Sequence, residues 1–264
     1  MRDSPEGRGR RIREPQEGTL ARAPRPRTIS TKQARIAELA RKMPDTALFS
    51  LSHHVDKDWM REAYRRTNKR GAAGVDGVTA KDVETDLDTH LEALIEGFKS
   101  MNYRAPPVRR VMIPKGGGKE RPIGVPTLMD KVLQRAVHMV LEPLYEQDFY
   151  DFSYGFRPGR SAHDALQALD EALFTSGSPC WVLDVDVKSF FDTIDRQALR
   201  DLLKLRVADG PVIRAVGKWL RAGVMEGGWS TIPTEARPRA SALPKTAPPP
   251  ARQTDPPRVG VALW

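Results

Sequence analysis

Cysteine is almost missing from this chain. Cys180 is the only one, which excludes an intrachain disulfide framework and any zinc site built from cysteine pairs. A lone cysteine in an apolar run reads as a small core side chain. Also missing is any apolar run long enough to cross a bilayer. The opening residues, Met1-Arg2-Asp3-Ser4-Pro5, hold no stretch of the kind that begins a secretory signal. These absences make a cytoplasmic protein with no membrane partner the expectation. No segment repeats at a fixed period.

Basic charge is abundant. The net charge is +9 over 264 residues, a balance that suits a polyanionic partner. The 22 prolines and 20 glycines are unevenly spread, so parts of the chain are expected to lie outside any core. Residues 1–45, with Arg8-Gly9-Arg10-Arg11 and Arg22-Ala23-Pro24-Arg25-Pro26-Arg27, read as a disordered basic arm. Residues 236–264, through Pro248-Pro249-Pro250 and Pro256-Pro257, read as a disordered proline-rich tail.

Between them the periodicity is clear. Order is expected from about Asp56, with Trp59, Ala63 and Tyr64 on one helical face. Thr79 and Asp82 are spaced as a capping box. Val83, Leu87, Leu91, Leu94 and Phe98 follow at helical spacing. Val108–Pro114 and Arg121–Val125 predict two strands joined by a turn at Lys115–Lys119. Thr127 opens a helix with Leu128, Val132, Ala136, Val137, Val140 and Leu141 inward. A polar, aromatic loop at 146–162 precedes a helix over His163–Leu173. Asp195 starts a further helical region that breaks near Gly210-Pro211 and runs to about Ala222.

Two stretches carry chemistry. Cys180-Trp181-Val182-Leu183-Asp184-Val185-Asp186-Val187 reads as a buried strand, with Asp184 and Asp186 on one face and Leu183, Val185 and Val187 on the other. Buried carboxylates need a partner or a metal. Either this strand delivers ligands for a divalent cation such as magnesium, or it emerges at the surface with Asp184 paired to a base. Phe190 and Phe191 read as core. The second stretch, Ile113–Pro126, places Lys115 and Arg121 on either side of a glycine turn, where they could close on one anion. It lacks the order of a P-loop, and on this stretch alone a solvated basic hairpin is the favoured reading.

Four blocks in sequence narrow these alternatives. They are Gly74-Val75-Asp76-Gly77-Val78-Thr79, the Ile113–Pro126 hairpin, Ser153-Tyr154-Gly155-Phe156-Arg157-Pro158-Gly159-Arg160-Ser161-Ala162-His163, and Asp186-Val187-Lys188-Ser189-Phe190-Phe191-Asp192. In this order they resemble the early blocks of bacterial group II intron-encoded reverse transcriptases, the RT/maturase family, over roughly residues 50–235. The resemblance implies an α+β right-hand polymerase fold, with fingers over 46–175 and the first part of a palm over 176–235. It implies two catalytic magnesium ions, held by Asp186 and further by the Val187 carbonyl. Phe191 would be the gate against ribonucleotides. Lys115 and Arg121 would grip the incoming deoxynucleoside triphosphate, with Arg157 near it, while Asp184 and Asp192 match less strictly and read as structural. The implied partners are group II intron RNA, a DNA primer or target, and deoxynucleoside triphosphates. Two other readings stand beside this one: a non-enzymatic fragment that binds intron RNA, and a fragment of a retron or CRISPR-associated reverse transcriptase.

The family's second palm hairpin carries Tyr-Ala-Asp-Asp, and no adjacent Asp-Asp pair occurs in this sequence. Where the family continues Glu-Gly-Thr-Pro-Gln-Gly, this chain has Glu235-Ala236-Arg237-Pro238-Arg239-Ala240. Removing one G from GAG GGC ACG CCC CAG GGC yields codons for that second peptide. The expectation is a truncated reading frame, translated out of frame from about Ala236, and an inactive polymerase. The neighbouring frame of the gene tests this: it should encode Pro-Gln-Gly and, further on, Asp-Asp.

Overall fold

A computed structural model describes residues 28–115, 117–174, 181, 183–187, 190–226 and 229–231. The expectations for 1–27, for Cys180, Val182, Lys188 and Ser189, and for the tail from 236 lie outside these residues.

The core forms around one long helix. α5 (Leu128–Tyr145) starts at Thr127, whose hydroxyl accepts the Asp130 N–H at 3.3 Å. Its buried residues, Leu128, Val132, Leu133, Ala136, Val137, Met139, Val140 and Leu144, cover a face wide enough for two neighbours. Those neighbours are α1 (Ile29–Lys42) and α2 (Lys57–Arg66). Trp59 on α2 is fully buried and donates its indole N–H to the Ala136 carbonyl at 3.0 Å. Gln33 on α1 donates to the Met139 carbonyl at 3.1 Å. Asp56 caps α2 by accepting the Trp59 N–H, and also receives Lys32 from α1.

α1 corrects one expectation. Residues 28–45 are not part of a disordered arm: Ile36 and Ala40 are buried in the core, and Leu39 and Met43 pack against it. The apolar residues were at helical spacing, but Lys32, Arg35, Glu38 and Arg41 dilute them. Burial against α5 and α2 supplies what local propensity does not.

The next elements follow the sequence closely. α3 (Ala80–Glu84) begins with the Thr79/Asp82 capping box. A break at Thr85-Asp86 separates it from α4 (Leu87–Lys99), which buries Leu91 and Phe98. Gly74 in the preceding loop has a definite reason to be glycine. A Cβ there would stand 2.5 Å from the Thr127 Cα, so the loop can lie against the start of α5 only without a side chain.

β1 (Val108–Lys115) and β2 (Lys119–Val125) form the expected antiparallel hairpin, with Gly117 and Gly118 in the turn at φ of 73° and 72°. Two short strands missed by the sequence reading extend it. β3 (Val224–Glu226) pairs parallel to β1, and β4 (Trp229–Thr231) pairs antiparallel to β3, giving the order β2-β1-β3-β4. Three-residue strands carry too little periodicity to be read locally, and a long-range neighbour creates them.

α6 (Ala162–Phe174) follows the 146–161 loop, and the short α7 (Phe190–Thr193) precedes α8 (Arg196–Arg206) and α9 (Gly210–Trp219). Asp195 caps α8 where a helical region was expected to start, and Asp209 caps α9 beside the expected break. Arg206 then anchors this half to the core. Its guanidinium pairs with Asp148 at 2.7 Å and donates to the carbonyls of Met43, Thr46 and Ala40. Asp209 accepts the Ser52 N–H and hydroxyl at 2.8 and 2.9 Å, beside a parallel bridge between Leu48 and Val207.

The expected buried palm strand does not form among the described residues. The described residues of 181–187 form no strand, and Trp181, Leu183, Val185 and Val187 are all largely exposed. The alternation is that of a strand, but no described strand pairs with it, and a lone strand is not stable in water.

Candidate active site

The hairpin end is the part of the expected site that the fold assembles. In the β1–β2 register Ile113 faces Arg121 and Lys115 faces Lys119. Paired residues share a face, as do residues two apart on a strand. Lys115, Lys119 and Arg121 therefore project together at the exposed tip, while Glu120 belongs to the opposite face. Three cations on one face of a turn with two left-handed glycines make an accessible anion-binding surface.

A buried polar node fixes the base of this hairpin. Asp130, in the first turn of α5, accepts the Trp219 indole N–H at 2.7 Å and the Gln134 amide at 3.0 Å, and it also accepts the Tyr103 hydroxyl. Burial pushes the Asp130 carboxyl up from its ordinary value, against the lowering effect of these donors. Burial and the adjacent Asp130 push the Tyr103 hydroxyl up as well. Lys218 donates to the Met101 carbonyl at 2.7 Å and also to that of Tyr103. The segment entering β1 is thus held between α5 and α9. Nothing local in the sequence marks Asp130, because an aspartate in a first helical turn ordinarily reads as a solvated dipole partner.

Arg157 is held within its own loop. The resemblance places it near the nucleotide; its side chain is 6% exposed. It pairs with Glu146 at 2.7 Å, donates to the carbonyls of Tyr150 and Ser153, and lies over the Phe149 ring at 5.0 Å. It closes the 146–157 loop on itself. Phe156 beside it is wholly exposed, at a φ of 56°.

Asp184 and Asp186 are exposed on the 183–187 segment. No group of three or more His, Cys, Asp or Glu side chains arranged to hold a metal occurs among the described residues. The Phe191 side chain lies outside them. The donor set fits magnesium poorly: carboxylates from one unpaired segment do not converge, and two ions need several ligands in fixed geometry. The described residues therefore bring Lys115 and Arg121 together but do not build a metal centre around Asp186.

Residues 113–237 match the family described as reverse transcriptase (RNA-dependent DNA polymerase). Protein YkfC of Escherichia coli strain K12 is 34% identical over 221 residues, covering 81% of this chain and 58% of that protein. Group II intron-encoded protein LtrA of Lactococcus lactis subsp. cremoris is 34% identical over 165 residues, 62% of this chain and 27% of that protein. A 91 kDa protein in the cob intron of Schizosaccharomyces pombe is 31% identical over 172 residues, 65% of this chain and 21% of that protein. A basic, glycine-turned hairpin set on a helical core, with these similarities, defines a reverse transcriptase domain. Within that class the chain belongs to the group II intron-encoded reverse transcriptase/maturase family. It spans little more than half the length of YkfC and about a quarter of LtrA.

Proposed function

We propose that this chain is the fingers and the first palm segment of an RNA-directed DNA polymerase of the group II intron type, and that by itself it binds intron RNA without synthesising DNA. The exposed triad of Lys115, Lys119 and Arg121 on one face of the hairpin carries the reading. In a polymerase of this family that face meets the triphosphate, with Phe191 against its sugar. Asp186 and the Val187 carbonyl would be this chain's only contribution to the family's magnesium site. One carboxylate of the three the family uses cannot hold two ions against water. The absence of any Asp-Asp pair from the sequence supports this. The family match ends at residue 237, next to the point where the expected Gly-Thr-Pro-Gln-Gly gives way to Ala236-Arg237-Pro238. That coincidence favours the out-of-frame origin of the tail.

The test pairs two assays on the full chain. RNA binding is expected in a filter assay, weakening as salt rises. Primer extension on a primed RNA template with magnesium is expected to stay at background, both for the wild type and for Asp186→Ala. Extension that disappears in Asp186→Ala would overturn the inactivity, and lack of RNA binding at low salt would overturn the RNA-binding role.

A further inference from the structure

A second basic site lies away from the hairpin tip. A cleft of about 630 Å³ opens where α8 and α9 meet the segment leading into β1. Its lining includes Arg104 from that segment, Arg200 from α8, Arg214 and Lys218 from α9, and Arg221 just beyond α9. No aspartate or glutamate lines it, and none of these cations forms an ion pair among the described residues. Asp201, next to Arg200, gives its carboxylate to Gln197 and Lys204 instead.

Two guanidinium groups from different elements converge on the cleft floor at Gly217. A Cβ on that glycine would stand 3.7 Å from Arg221 Nη2 and 3.9 Å from Arg200 Nε. The Arg200 Nε is buried and has no hydrogen-bond acceptor. Like charges gathered around a buried, unsatisfied donor form a site that lacks its anion. Lys218 is held in place by the carbonyls of Met101 and Tyr103, so its charge is positioned in advance.

We infer that this cleft binds consecutive phosphates of an RNA backbone. The inference rests on the RNA-binding reading above and gives it a location. Arginine forks match phosphate oxygens, and the volume exceeds what a single phosphate fills. The lining has no aromatic ring on which a base could stack and no carboxylate to read a sugar or base. The site therefore holds the strand by its backbone and is indifferent to sequence.

The test is fluorescence anisotropy of the full chain with a labelled single-stranded RNA of mixed sequence, across a salt series. Arg200→Gln/Arg221→Gln is compared with Arg35→Gln/Lys81→Gln, an equal loss of charge at exposed positions on α1 and α3. The cleft pair is expected to lose roughly tenfold in affinity near 0.1 M salt, and its slope of log K against log salt should flatten by roughly 1 to 2. The control pair should change affinity less than about twofold. Arg104→Gln/Arg214→Gln, which alters only exposed side chains, should flatten the slope in the same direction even if the Arg200/Arg221 pair unfolds the chain. Unchanged slopes in both cleft pairs, with wild-type RNA binding intact, would overturn the cleft and spare the broader reading. Equal loss in the control pair would reduce the effect to net charge and overturn the cleft too. If wild type binds no RNA, both readings fall. A final arm titrates inorganic pyrophosphate. Thermal stabilisation of wild type but not of the cleft variants, with RNA affinity unaltered, would assign the site to free phosphate and overturn the RNA source.

Discussion

Single residues decide how the two halves of this molecule are joined. Asp130 is the clearest case. A carboxyl whose folded pKa is raised binds its proton more tightly folded than unfolded, so it favours folding at acid pH. That contribution is lost as pH rises from the ordinary carboxylate range toward the raised value. Relative to Asp130→Asn, wild type should therefore lose melting temperature as pH rises above the ordinary carboxylate range. A constant difference over that rise would show that the node ionises freely. Asp130→Ala strands the Trp219 and Tyr103 donors and should cost about 2–3 kcal/mol in a denaturant titration. Arg206 presents the same physics with a cation. Arg206→Ala leaves buried carbonyls and Asp148 without their donor and should cost about 3 kcal/mol or more. Arg206→Lys should recover little, since an ammonium cannot reach Asp148 and the carbonyls of Met43, Thr46 and Ala40 together. Full recovery by lysine would mean that charge alone matters there.

At the scale of elements, legibility followed local determination. α2, α4, α5, α8 and α9 were readable because caps and apolar spacing lie within each segment: Asp56, Thr127 and Asp195 cap where order or helices were expected to begin, and Asp209 caps α9 beside the expected Gly210-Pro211 break. The β1–β2 hairpin was readable from its glycine turn. α1 was not, because its apolar residues are few and its stabilisation comes from α5. It follows that α1 is a core element, and Ile36→Ala should destabilise the chain by about 2–5 kcal/mol as a buried truncation. A loss under ~0.5 kcal/mol would return these residues to a peripheral arm. The 181–187 segment failed in the opposite direction. Its pattern is that of a strand, yet pairing requires a neighbour.

For the whole molecule, that missing neighbour leaves a mark. Leu166, Leu169 and Phe174 on α6 are exposed together with Trp181, Leu183, Val185 and Val187. Exposed apolar side chains in such number mark a surface that another surface ordinarily covers. The folded chain should bind a hydrophobic dye in native buffer, and Leu166→Lys/Leu169→Lys should lower the signal without lowering the melting temperature. Dye binding unaltered by these changes would place the apolar surface elsewhere. The same incompleteness separates the two candidate chemistries. Phosphate binding needs cations on formed elements, and those are present at the hairpin tip and the α8–α9 cleft. Two-metal catalysis needs carboxylates brought from several strands, and the described residues supply one exposed segment.

The sequence by itself determined the helices, their caps, the basic hairpin and the family, because each depends on residues near one another in the chain. Only the tertiary structure decided that α1 belongs to the core, that Arg157 closes its own loop, that Asp130 ties α5 to α9, and that Arg200 and Arg221 meet over Gly217. These depend on which distant groups become neighbours, and burial then sets the cost of leaving a charge or a donor without its partner.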